Sequence, residues 1–221
     1  MHSEIHQILD FLRQLGQNNS RDWFTENKAQ YEKSRLLFKN IIQQLIEHIS
    51  AFDKSLQAVE AKDCIFRIYR DIRFTPDREP YKTNMGAYMA PGGRKSKMAG
   101  YYFHLEPENS FAGGGIYCPQ STELKAIRNE IYSEPEAFER IIQKEGFKKE
   151  FSEIYGDKLK TAPRGFDKNW EKIHLLRFKS YTVIKQFSDN KLSESNIMSK
   201  LLSTYKIQQP FNEYLNTALE E

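Results

Sequence analysis

The run Cys64-Ile65-Phe66-Arg67-Ile68-Tyr69-Arg70-Asp71-Ile72-Arg73-Phe74 decides how the chain is read. A period of two sets Phe66, Ile68, Ile72 and Phe74 on one face and Arg67, Tyr69, Asp71 and Arg73 on the other, the alternation of a half-buried strand. Ile65, Ile68 and Ile72 also fit helical spacing, so a helix is the competing reading. The following Thr75-Pro76-Asp77-Arg78-Glu79-Pro80 reads as loop, because two prolines interrupt any ladder. On the strand reading Arg70 faces the apolar side, where an unpaired guanidinium is costly. The expectation is a buried ion pair between Arg70 and a carboxylate from another element.

Downstream of this run, residues 84–90, 100–106 and 111–118 read as three more strands. Pro91-Gly92-Gly93 and Pro107-Glu108-Asn109-Ser110 supply the turns, and consecutive strands with short turns make an antiparallel meander. Residues 175–187 fit a further strand. Gly113-Gly114-Gly115 inside a strand marks a bulge or a close approach of another backbone or ligand.

Upstream, Ile5, Ile8, Leu9, Leu12 and Leu15 recur at helical spacing, with Ser3 as cap and Gly16 as stop. Ser20 caps a long second helix reaching about residue 50. Its buried stripe is Tyr31, Phe38, Ile41, Ile42, Leu45, Ile46 and Ile49. After residue 121 the helical pattern returns at 121–133, 135–145, 193–205 and 210–219. The organisation is a single α+β domain over 1–221: helical in 1–52, mainly strands in 64–118 and mainly helical in 121–221. An antiparallel sheet from the middle of the chain is packed by helices from both ends.

Composition removes whole classes of function. Fifteen Phe, 12 Tyr and 2 Trp in 221 residues carry too much apolar surface for disorder. The longest unbroken apolar run is the four residues from Ala87 to Ala90, far short of the ~20 that a membrane span requires. Cys64 and Cys118 lie far apart, outside any disulfide framework or zinc spacing. The N-terminal Met1-His2-Ser3-Glu4-Ile5 lacks a secretory pattern, so the cytoplasm is the expected location.

The charge is unevenly placed. From residue 64 to residue 97 there are eight basic residues against three acids, a net +5, while the rest of the chain sums to −2. Local excess of one sign speaks to partners. Arg67, Arg73 and Tyr69, followed by Tyr81-Lys82-Thr83-Asn84, form the strongest constellation. Arginine forks fit phosphate or carboxylate oxygens, and a loop lysine adds a point charge. The competing reading is a solvated strand face neutralised by Asp71 and by flank carboxylates.

The candidate ligand-binding set is Arg67, Tyr69, Arg70, Arg73, Tyr81, Lys82, Asn84 and His104, with a phosphorylated small molecule or nucleic acid as partner. Interleaved aromatics (Phe66, Tyr69, Phe74, Tyr81, Tyr88, Tyr101 and Tyr102) can stack bases if exposed. His104, the only histidine near the basic region, suits proton transfer or a satisfied structural place.

Gly92-Gly93-Arg94-Lys95-Ser96-Lys97 lacks phosphate-loop spacing and reads as a basic hairpin tip. His2 and His6 have metal-binding spacing without a completing carboxylate, so no metal and no cofactor are assigned. No nucleophile elbow is present. Three classes stay open: a polyanion-binding module, an enzyme acting on a phosphate-bearing small molecule, and a protein-interaction domain whose arginines are structural.

Four pieces of the sequence resemble the uncharacterised family called domain of unknown function 2461. They are Asn18-Asn19-Ser20-Arg21-Asp22-Trp23-Phe24, the 66–74 run, Pro80-Tyr81-Lys82-Thr83-Asn84 and Pro163-Arg164-Gly165-Phe166-Asp167. The resemblance runs from the first helix to about residue 180, and Arg78 stands where the family usually has lysine. It implies a shared fold and brings no activity, substrate or cofactor.

Overall fold

The structure is a computed structural model that describes residues 1–71 and 79–220. Ile72, Arg73, Phe74 and Arg78, on which part of the sequence reading rests, lie outside the described residues. Four strands, β1 (Met85–Met89), β2 (Gly100–Leu105), β3 (Ser110–Ile116) and β4 (Tyr181–Phe187), form one antiparallel sheet in the order β1-β2-β3-β4. The meander read from period-two spacing is present, and the fourth strand is the later half of the 175–187 segment.

Helices cover one face. Helix α1 (His2–Gln17) packs on α3 (Lys28–Ile49), and every apolar residue of the two expected stripes is buried. Ser3 is not the cap expected; α1 starts one residue earlier, at His2, and runs past Gly16. The expected single second helix is broken in two. Ser20 caps α2 (Arg21–Glu26) by accepting from the Trp23 N–H, and Asn27 separates it from α3. Phe38 of α3 stacks on Phe103 of β2, ring centroids 6.2 Å apart, which fixes this layer to the sheet.

Between α3 and the sheet, α4 (Ala61–Cys64) ends where the deciding run begins. Its described part after the helix, residues 65–71, runs alongside β1 but is no ladder strand. It makes isolated bridges, Ile65 with Ala87 and Tyr69 with Tyr81, and Lys82 N–H donates to the Ile68 carbonyl at 2.8 Å. Of the two described residues of its expected apolar face, Ile68 is buried and Phe66 is 39% exposed. The buried ion pair expected at Arg70 is likewise overturned. Arg70 is an exposed residue, and its guanidinium lies 3.4 Å from Glu79 at the surface. The cause is common to both: residues 65–71 flank β1 instead of joining the sheet, and among the described residues no second layer closes over their outer side chains.

The C-terminal half contributes α5 (Ser121–Ser133), α6 (Pro135–Ile142), α7 (Glu145–Phe151), α8 (Asp189–Leu192) and α9 (Ile197–Glu220). The two helices expected at 193–205 and 210–219 are one, with Pro210 inside it. A proline in a helix interior costs ~3 kcal/mol. Here Leu201, Tyr205, Phe211 and Leu215, on both sides of it, are fully buried, and that packing outweighs the break. The glycines of β3 allow the approach of α9. A Cβ on Gly114 would lie 2.6 Å from Gln208 Nε2, and one on Gly115 would meet the Phe211 ring at 3.1 Å. Gln208 Nε2 donates to the Gly100 carbonyl, so α9 also grips β2.

Candidate functional site: a cationic cleft on the uncovered sheet face

Strand alternation that buries Ala87, Met89, Tyr101 and Phe103 under helices turns Tyr88, Tyr102, His104, Phe111 and Ile184 to the other face. These five are only half-buried. They line a cleft of about 770 Å³ together with Phe66, Arg67, Lys82 and Asn84 on one side. Residues 94–98, residues 117–120, Glu123 and Tyr155 also contribute to the lining. Tyr88 is tied down in it, its hydroxyl 2.7 Å from the Gly115 carbonyl and 2.8 Å from the Met98 carbonyl.

Two of the resembling sequence pieces meet to shape the cationic side. The Asn19 side chain donates to the Tyr81 carbonyl at 2.9 Å and accepts from the Tyr81 N–H at 3.2 Å, pairing with that residue as a strand would. Phe24 stacks on the Tyr81 ring at 3.9 Å and touches Tyr69. With Tyr81 locked inward, the next residue, Lys82, is carried to the cleft.

The sequence-derived set therefore divides. Arg67, Lys82, Asn84 and His104 line the cleft. Tyr81 is buried and Tyr69 leans on it at 5.5 Å, behind the cleft wall. Arg70 does not line it but lies close enough for its charge to act on Lys82. Arg73 lies outside the described residues. Tyr101, counted among the aromatics available for stacking, faces the helices and donates its hydroxyl proton to Asp53 at 2.7 Å.

Electrostatically the cleft is one-sided. Burial, then the Arg67 guanidinium, then that of Arg70, push the Lys82 ammonium below the usual lysine range. Lys82, Arg67 and Lys95 form no ion pair among the described residues. Arg94 donates to the Asp63 backbone carbonyl at 3.0 Å. Lys97 alone is paired with a carboxylate, that of Glu123 at 3.0 Å. Glu123 is also the one acid among the described lining residues.

On the floor, Tyr102, His104 and Glu106 form a hydrogen-bonded chain. His104 Nδ1 lies 3.2 Å from the Tyr102 hydroxyl and its Nε2 3.2 Å from Glu106 Oε2. Burial pushes the Glu106 carboxyl up. Hydrogen bonds from Asn109, His104 and Thr83 outweigh it and hold the group below the usual carboxylate range. An ionised Glu106 only accepts, so Nε2 carries the proton and Nδ1 accepts from Tyr102. Burial lowers His104 against the opposing pull of Glu106, with Lys82 adding to the lowering, so the ring is held neutral. Tyr102 is pushed up to about 12 by burial and the Glu106 charge. The chain thus holds two protons in a fixed direction at the cleft floor, the Tyr102 hydroxyl's toward Nδ1 and the Nε2 proton toward Glu106.

The match to the profile described as "Conserved hypothetical protein (DUF2461)" spans residues 7–214 and so takes in both walls and the floor of the cleft. The chain belongs to this family. No curated protein and no solved structure matches it. The DUF2461 match extends beyond the resemblance at residue 180 to include most of α9, which packs against β3. Among the described residues no helix is long and apolar enough to cross a membrane, and no group of three or more His, Cys, Asp or Glu is placed to hold a metal ion. The sequence reading did not assign Arg94, Lys95, Tyr117 or Tyr155 to the site. Lys95 carried a signal in the basic hairpin tip; Tyr155, distant in sequence from every other lining residue except those of β4, carried none.

Proposed function

We propose that the cleft binds a phosphate-bearing anion, with Arg67, Lys82, Asn84 and His104 as its contacts and Lys95 on the approach. Lys82 carries this reading. The fold holds it half-buried beside two guanidiniums and, among the described residues, gives it no carboxylate, an arrangement that costs free energy until an anion enters. A purely structural role would tie each cation to an acid, as Lys97 is tied to Glu123. Arg73 belongs to the proposed set on its sequence position alone.

Calorimetric titration with inorganic tripolyphosphate at low and at moderate salt tests the proposal. The wild type should bind, and more weakly as salt rises. Lys82→Met should weaken binding tenfold or more, while reversal of the exposed Lys191 and Lys206 to glutamate should change it less than about twofold. Equal losses in both variants, or no binding by the wild type at low salt, would overturn it.

A further inference from the structure

We infer that the anion is a nucleoside phosphate, a phosphate joined to a planar base, taken either free or as the unit of a single strand. This rests on the cleft reading above and adds the ring. Six large hydrophobic side chains are exposed among the described residues, and three of them, Phe66, Tyr117 and Tyr155, line this one cleft. Exposed aromatics elsewhere lean on other rings: Tyr69 on Phe24 and Tyr81, Tyr132 on Trp170 at 4.7 Å. Tyr117 and Tyr155, 75% and 53% exposed, have no ring partner among the described residues.

Their backbones are nonetheless fixed. Tyr155 N–H donates to the Thr182 carbonyl at 2.7 Å and its own carbonyl accepts from the Thr182 hydroxyl at 2.9 Å. Tyr117 ends at Cys118, whose N–H is held by Ser180 Oγ at 2.9 Å. Two rings from separate parts of the chain are thus anchored and left bare at the rim of a cationic cleft. On the opposite wall Phe66, 39% exposed and edge-on to Tyr102 at 6.3 Å, has Lys82 Nζ 5.9 Å from its ring centroid. Rings pinned beside unpaired cations suit a ligand that offers a flat π-face and a phosphate together. The cleft volume is that of a small-molecule site.

The test compares thymidine 5′-monophosphate, deoxyribose 5-phosphate and a short oligothymidylate, titrated at low salt. The monophosphate should bind roughly tenfold or more tighter than the sugar phosphate, the gain that base stacking supplies. Tyr117→Ala with Tyr155→Ala should abolish that gain and leave sugar-phosphate binding unchanged; the double phenylalanine variant should restore it. Because both rings are solvent-exposed, melting temperatures should stay close to wild type. Equal affinity for monophosphate and sugar phosphate would overturn the nucleoside inference while leaving the anion site standing. Failure of all three probes would overturn both. Among supporting outcomes, an oligothymidylate that binds much more tightly than the monophosphate identifies the single strand as ligand, and one that does not identifies the free nucleotide.

Discussion

Tyr101 and Tyr102 are neighbours on β2 and belong to different worlds. The first is 1% exposed, wedged between the sheet and α9 with its ring edge-on to Tyr205. The second is half-buried at the floor of the cleft, its hydroxyl against His104. The same division runs through the whole sheet. One face is an apolar layer closed by helices; the other carries tyrosines, a histidine and the approach of five cations among the described residues. A single strand period builds both. The difference lies in what each face is paired with: helices on one side, and on the other no covering element among the described residues.

The largest effect should come from cutting into the covered face. Phe103 is fully buried and stacked on Phe38, so Phe103→Ala should cost about 3–5 kcal/mol and lower the melting temperature sharply. Phe111 lies on the open face, half-buried and stacked on His104 at 4.6 Å. Phe111→Ala should cost only about 1 kcal/mol. Thermal denaturation of the two variants checks the contrast; equal losses would mean that both faces are core.

A smaller effect should separate two glycines. A Cβ on Gly114 would sit 2.0 Å from the Gly100 carbonyl oxygen, and its φ of +147° adds strain, so backbone must move. Gly114→Ala should destabilise by about 1–3 kcal/mol. On Gly86 the same atom meets the end of a side chain, the Tyr102 hydroxyl at 2.4 Å. Gly86→Ala should therefore displace Tyr102 from His104 with little loss of stability. Paired denaturation and NMR of the His104 ring distinguish the two outcomes, and a stability loss in Gly86→Ala equal to that in Gly114→Ala would remove the distinction.

These contrasts explain what the sequence disclosed. The stripes of α1 and α3 and the alternation of β2 were legible because burial there follows a period, and β1 and β3 because the Pro- and Gly-containing turns at 91–93 and 107–110 bound them. Residues 65–71 depart from the strand reading because Phe66 is apolar at the cleft rim, where exposure follows the open surface and not the core. Ala61 and Cys64, buried at i and i+3, hide a helical turn at the start of an apparently alternating segment. Pro210 invited a break that local rules favour and the tight packing of α9 on β3 overrides. The cationic half of the site was visible as a charge count. Its aromatic rim was not, since Tyr117 and Tyr155 meet only through the pairing of β4 with β3 and with the Tyr155 segment.

The smallest predicted effect concerns protons on the open face. His104 has its folded pKa lowered, chiefly by burial, so the folded state prefers the neutral ring more than the unfolded chain does. Below the ordinary histidine value of ~6.5 the unfolded chain takes up a proton first, and stability falls as the pH drops from there through the folded value. Glu106, lowered by its hydrogen bonds, contributes its own loss only further down, as the pH falls below the ordinary carboxylate range. Melting temperatures of wild type and His104→Gln between pH 8 and pH 5 should therefore run parallel at the upper end and converge below about pH 6.5. A bound phosphate beside Lys82 would oppose the lowering and shift the folded value back up, so saturating tripolyphosphate should shrink the wild-type loss below about pH 6.5 while its onset, set by the unfolded chain, stays in place. The shift ought to be absent in Lys82→Met, which ties the proton on the cleft floor to the anion at its wall. A loss whose size does not respond to tripolyphosphate in the wild type would place His104 outside the reach of the site.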